Sequence, residues 1–154
     1  MSSETTLKLP LEIEDIKTIL PHRYPFLLVD RVVEFETDRR IVGIKNVSAN
    51  DRYFIAGPGG VPMLPATILT EALAQIGAVL VLAKPENRAR LIYFMGIDRV
   101  RYRRPVLAGD SVVLEGRVVR LRNKMGTLHG VARVDGRVVG EGRMTFALGD
   151  RPAS

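Results

Sequence analysis

Cysteine and tryptophan are absent from the 154 residues, and histidine occurs only twice. Without cysteine the chain has neither disulfide staples nor a thiolate metal site. The opening MSSETTLKLP lacks the basic start and the apolar centre of a signal peptide, so a cytoplasmic location is expected. Long apolar runs are also missing. The longest covers residues 67–83, and Glu71 and Gln75 interrupt its first half, leaving a charge-free run too short to cross a bilayer. No membrane span is expected, and that run reads as a buried helix.

What remains is an ordinary globular composition of 46% hydrophobic and 26% charged residues, enough at this length to bury one core. A single domain over residues 1–154 is expected, with residues 1–10 flexible. Acidic residues are outnumbered 17 to 23, and the resulting charge of +6 favours an acidic partner: nucleic acid, a membrane surface or an acidic carrier protein. Nucleic acid fits least, because the arginines are dispersed through strands and no recognised binding motif appears.

Along the chain, LEIEDIKTIL (residues 11–20) spaces its apolar residues as a helix, carries acids in its first turn, and ends at Pro21. FLLVDRVVEFE and IVGIKNVS, separated by the polar tip TDRR, read as paired strands. Residues 50–65 end with three glycines and three prolines in nine positions, a conformationally specified loop in which regular helix or central strand is excluded. The loop delivers Pro65 to the first turn of ATILTEALAQIGAVLVLAK, a helix apolar on nearly all sides and therefore central. Four strands follow, ARLIYFMGIDRVRYRRP, SVVLEGRVVRLRN, GTLHGVARVDG and RVVGEGRMTFAL, with turn signals between them. One helix can be hidden by six strands only if the sheet curls around it, which predicts an α+β fold.

Glu71 is the residue that most invites a chemical role. It stands on the first turns of the apolar helix, with Gln75 four residues on and on the same face. Burial would raise its carboxyl pKa and suit it to acid or base work. The plainer alternative is a glutamate that bonds a loop backbone or pairs with an arginine. The N–H groups at Ala66 and Thr67 begin the same helix, where a carbonyl oxygen gaining negative charge is stabilised. Arg99, Arg101, Arg103 and Arg104 lie close together, and strand alternation would put the first three on one face, either as a solvated surface or as a docking site.

LPHRYPFLLVDR (residues 20–31), PMLPATILTEALAQ (62–75) and FMGIDRVRYRRPVLAGD (94–110) together make the chain resemble the FabZ-type 3-hydroxyacyl-[acyl carrier protein] dehydratases, over roughly residues 11–148. The resemblance implies a hot-dog fold, a curved antiparallel sheet wrapped around a long central helix, and a place in fatty acid biosynthesis. It implies a substrate tethered as a thioester to an acyl carrier protein, or to coenzyme A, with water eliminated across C2 and C3 and no metal or cofactor. It also implies a homodimer or trimer of dimers in which a loop histidine of one subunit faces the helix glutamate of the other. That histidine normally lies in a G-H-F-P segment fourteen positions before the glutamate. Here the count leads to Gly57, within Ala56-Gly57-Pro58-Gly59, and Ala66 stands where the family usually has glycine. Glu71 is thus the catalytic candidate, with Gly57, Ala66, Thr67 and Gln75 around the substrate and the four arginines facing the carrier. His22, within PHRYP, is expected to stabilise its turn, and His129 to be a surface or packing residue of its strand.

Three functions compete. The first is a dehydratase-like lyase in which dehydration is altered or lost without the loop histidine. The second is a hot-dog thioesterase using Glu71 alone. The third is a non-catalytic carrier-binding subunit, in a hetero-oligomer with a histidine-bearing paralogue.

Overall fold

The computed structural model describes residues 5–151; residues 1–4, within the segment expected to be flexible, and 152–154 lie outside the described residues. The first helix, α1 (Ile13–Ile19), opens on a capping box: the Glu12 N–H donates to Asp15 and the Glu12 side chain accepts from the third helical N–H. It is followed by β1 (Arg31–Glu36), β2 (Arg40–Asn46), β3 (Ile55–Ala56), β4 (Pro62–Leu64), α2 (Ala66–Leu82), β5 (Arg90–Tyr102), β6 (Val106–Leu107), β7 (Ser111–Arg122), β8 (Met125–Val134) and β9 (Arg137–Asp150).

Six strands form one antiparallel sheet in the order β1-β2-β7-β8-β9-β5. Alternate residues of β7, β8 and β9 are buried, and their apolar side chains meet α2 on the concave face. From Ala72 to Leu82 every residue of α2 is buried, which explains why its sequence shows no polar face. The close approach is set by Gly77, whose added Cβ would sit 2.6 Å from Leu128, and by Gly116 opposite, whose added Cβ would sit 3.2 Å from Ile41 and 3.8 Å from the Gly77 Cα. Past the helix's C-terminus, Lys84 bonds both oxygens of Asp38 at the β1–β2 turn, tying helix and hairpin together.

Two expectations need correction. The loop at residues 50–65 is not wholly irregular: β3 and β4 pair with each other, and β4 pairs with β6, in a small second sheet that cradles the entry to α2. Nor does simple alternation hold through the arginines. Asp98 opposes Arg143 and Arg101 opposes Glu141, three steps on β5 against two on β9. This bulge holds Arg99 at a φ of 53° and takes it out of the common face.

Candidate active site

Pro65 supplies no side-chain cap to α2, and its carbonyl accepts from the N–H groups of Ile68 and Leu69. The N–H groups of Ala66 and Thr67 therefore lie ahead of the hydrogen bonds that close the first turn. One turn on, about 6 Å along the axis, Glu71 reaches a groove of about 490 Å³ between α2 and β5. Thr67, Thr70, Ala74, Phe94, Ile97, Val100 and Tyr102 complete its lining. Thr70 Oγ1 and the Tyr102 hydroxyl are hydrogen-bonded across the groove. An apolar trough with one carboxylate and a helix N-terminus has the parts for moving a proton beside a polarised carbonyl.

Glu71 is half-buried and bonds neither a loop backbone nor an arginine among the described residues. Its Oε1 accepts from Gln75 Nε2 at 3.0 Å and lies 3.7 Å from His22 Nε2. Gln75 itself is almost wholly enclosed, at 1% exposure. Its amide accepts from the Leu28 N–H at 2.8 Å and donates to the Phe26 carbonyl at 2.7 Å. Both of its N–H donors and its oxygen are engaged inside the protein, so it fastens Glu71 to the loop before β1 and does not face the groove as a substrate ligand would.

His22 does not stabilise its turn through its ring. Arg23 does, donating to the carbonyls of Lys17, Leu20 and His22. The imidazole lies 6.2 Å from the Phe26 ring, and its Nδ1 is buried with no partner among the described residues. Burial lowers the His22 pKa, and the charge of Glu71 works in the opposite direction. His129 is partly exposed on the outer face of β8 and approaches Glu141 at 3.7 Å, away from the groove.

Gly57 is extended, and its N–H donates to the Val61 carbonyl at 2.8 Å. A Cβ there would lie 2.7 Å from that carbonyl and 2.9 Å from Met63 Sδ, so the loop closes around a residue without a side chain. Of the arginines, Arg103 is bound to Glu141 at 2.6 Å, while Arg103 and Arg104 border a second cleft of about 280 Å³ that also contains Ala66 and Tyr102. The described residues contain no cluster of three or more His, Cys, Asp or Glu suited to a metal, and no helix long and apolar enough to cross a membrane.

A sheet curled around one helix, with a carboxylate at the helix's entry, places the chain in the hot-dog class. A family model for the FabA-like domain matches residues 20–143. A 3-hydroxyacyl-[acyl-carrier-protein] dehydratase FabZ from Geobacillus thermodenitrificans is 49% identical over 144 residues, spanning 94% of this chain and 99% of that protein. The chain therefore belongs to the FabZ-type dehydratase family. Among solved structures, the dehydratase heterocomplex ApeI:P from Xenorhabdus doucetiae superposes with a TM-score of 0.76 at 20% identity, over 94% of both chains. A mutant thioesterase from Pseudomonas aeruginosa gives 0.69 at 15% identity, over 92% of this chain and 96% of that one. Both share the fold.

Proposed function

We propose that the chain acts on 3-hydroxyacyl groups carried as thioesters on acyl carrier protein or coenzyme A, eliminating water with Glu71 as its acid–base group. The observation that carries this reading is the placement of Glu71: one oxygen is fastened by Gln75, and the side chain borders an apolar groove one turn beyond the free helix N–H groups. The thioester carbonyl would face Ala66 and Thr67, which stabilise negative charge on its oxygen as C2 loses its proton. A single carboxylate completes the balance. It takes the C2 proton as the C2=C3 bond forms and the C3–O bond breaks, then returns that proton to the departing hydroxide, which leaves as water.

Gly57 stands where the family resemblance expects an imidazole, so this chemistry lacks a positioned group whose removal ordinarily costs about 10²–10⁴ in rate. Slow dehydration is the consequence. The close packing around Gly57 supports a second reading, in which the subunit contributes Glu71 and a carrier-binding surface to an assembly with a histidine-bearing paralogue. Pairing between copies is favoured by β5, a thirteen-residue edge strand that exposes Tyr93, Phe94, Met95 and Ile97. Arg101 and Arg104, both exposed near the groove's Tyr102 end, suit the acidic carrier.

Incubating the purified protein with a 3-hydroxyacyl thioester and following trans-2-enoyl product tests the reading, with Glu71→Gln as control. Thiol release in place of enoyl product would assign the groove to hydrolysis. Salt-sensitive carrier binding without either product would assign it to a binding subunit.

A further inference from the structure

The elimination leaves one neighbour of Glu71 without a task. His22, one residue past the proline that ends α1, brings Nε2 to 3.7 Å from Glu71 Oε1. Holding the turn does not explain it, because Arg23 bonds the three carbonyls there. Packing does not explain it either. Its Nδ1 is buried with no partner among the described residues, a cost that an apolar ring in the same place would not incur. The polar group that the imidazole does address is the carboxylate.

Gln75 and His22 approach the same oxygen of Glu71 from different segments of the chain, one from within α2 and one from the loop before β1. Oε2 has no hydrogen-bond donor among the described residues, so it is the oxygen left to face the groove. We propose that His22 is a positioning residue that acts through Glu71: set against Oε1 beside the Gln75 amide and electrostatically coupled to the carboxylate, it selects Oε2 as the atom that exchanges a proton with substrate. This rests on the dehydratase reading above. The proton still passes from C2 to Oε2 and from there to the leaving hydroxide; His22 neither gains nor loses one in the net reaction.

The other groups around the pair do not compete for this role. Lys17 is bound to Glu14, Arg23 is turned onto backbone carbonyls, and Tyr24 points outward at 82% exposure. Tyr102, across the groove on β5, is bonded to Thr70, while Phe94, Ile97 and Val100 offer no charge. Glu71 is therefore the charge that acts on His22.

The coupling is read by NMR titration of the two imidazoles, assigned by the signal lost in His22→Gln. In Glu71→Gln the His22 titration should move to lower pH, since the charge opposing burial is gone. Kinetically, His22→Phe keeps a ring against Phe26 and should lower kcat by about 10–100-fold with little change in KM, and alter the acidic limb of the pH profile. His22→Gln, which retains an N–H donor, should recover part of the loss. A His22 titration indifferent to Glu71→Gln overturns the inference, as does a folded His22→Phe with the parent kcat and pH profile. If the parent forms no enoyl product, the dehydratase reading fails, and the titration still decides whether the two groups are coupled.

Discussion

Replacing Gln75 with leucine removes three hydrogen bonds from the interior while leaving the volume of the side chain nearly unchanged. The Leu28 N–H, at a buried position, loses its acceptor at 2.8 Å, and leaving such a donor unpaired costs about 1–3 kcal/mol. The Phe26 carbonyl and Glu71 have access to solvent and lose roughly 1 kcal/mol between them. The greater apolar content of leucine returns up to about 1 kcal/mol. A net loss of about 1–4 kcal/mol follows, which lowers Tm by roughly 2–16 °C for a chain of this size. Urea unfolding followed by circular dichroism measures it, with an unchanged denaturant slope showing that the native state stays compact. Stability within about 0.5 kcal/mol of the parent would refute the reasoning, because it would mean that the loop before β1 is not held by this amide. Glu71 would also lose its fastening, so any enoyl-forming activity should fall by about tenfold or more, measured at a temperature where both proteins are folded.

Further expectations follow from close contacts and charge. Gly77→Val, which forces a branched side chain into the contact with Leu128, should destabilise the protein by about 1–3 kcal/mol or more in the same unfolding assay. Gly57→His alone should fail to raise dehydration by as much as tenfold, since its Cβ meets the Val61 carbonyl before the imidazole can be aimed; a larger gain in enoyl formation would show that the loop yields easily. The hydrogen bond from Arg103 holds the Glu141 carboxyl below its ordinary value of 4.5. That stability is present above pH 4.5 and is lost as pH falls through the folded-state pKa. In acid unfolding curves Glu141→Gln should therefore show a shallower decline below pH 4.5 than the parent.

Much of the architecture can be read from local pattern. The apolar run of α2 is uninterrupted after Gln75 because that part of the helix is wholly buried, and the alternation in β7 to β9 follows from one face being buried. The small sheet escapes such reading because β3 and β6 are two residues long and β4 three, too short to show a period; Gly59 and Gly60, both at positive φ, mark only the turn between them. The arginine face fails because one extra residue in β5 reverses side-chain direction beyond Asp98, which composition does not announce.

Glu71 stands out in the sequence as a charge within an apolar helix, and Gln75 by its helical spacing from it. That the Gln75 amide also serves Phe26 and Leu28, and that His22 comes to the same carboxylate oxygen, depends on how the loop after α1 folds onto α2. No local period connects those segments, so the imidazole reads as a turn residue until the chain is folded.

Glu71 is proposed to perform the proton transfers of a 3-hydroxyacyl-thioester dehydration. The most direct measurement is the initial rate of trans-2-enoyl formation from a 3-hydroxyacyl-[acyl carrier protein], compared between the parent and Glu71→Gln with both shown to be folded. Slow but measurable product is expected from the parent, with a loss of at least about 10²-fold in the variant. Equal rates in the two proteins would contradict it, and would remove the carboxylate from the chemistry of this groove.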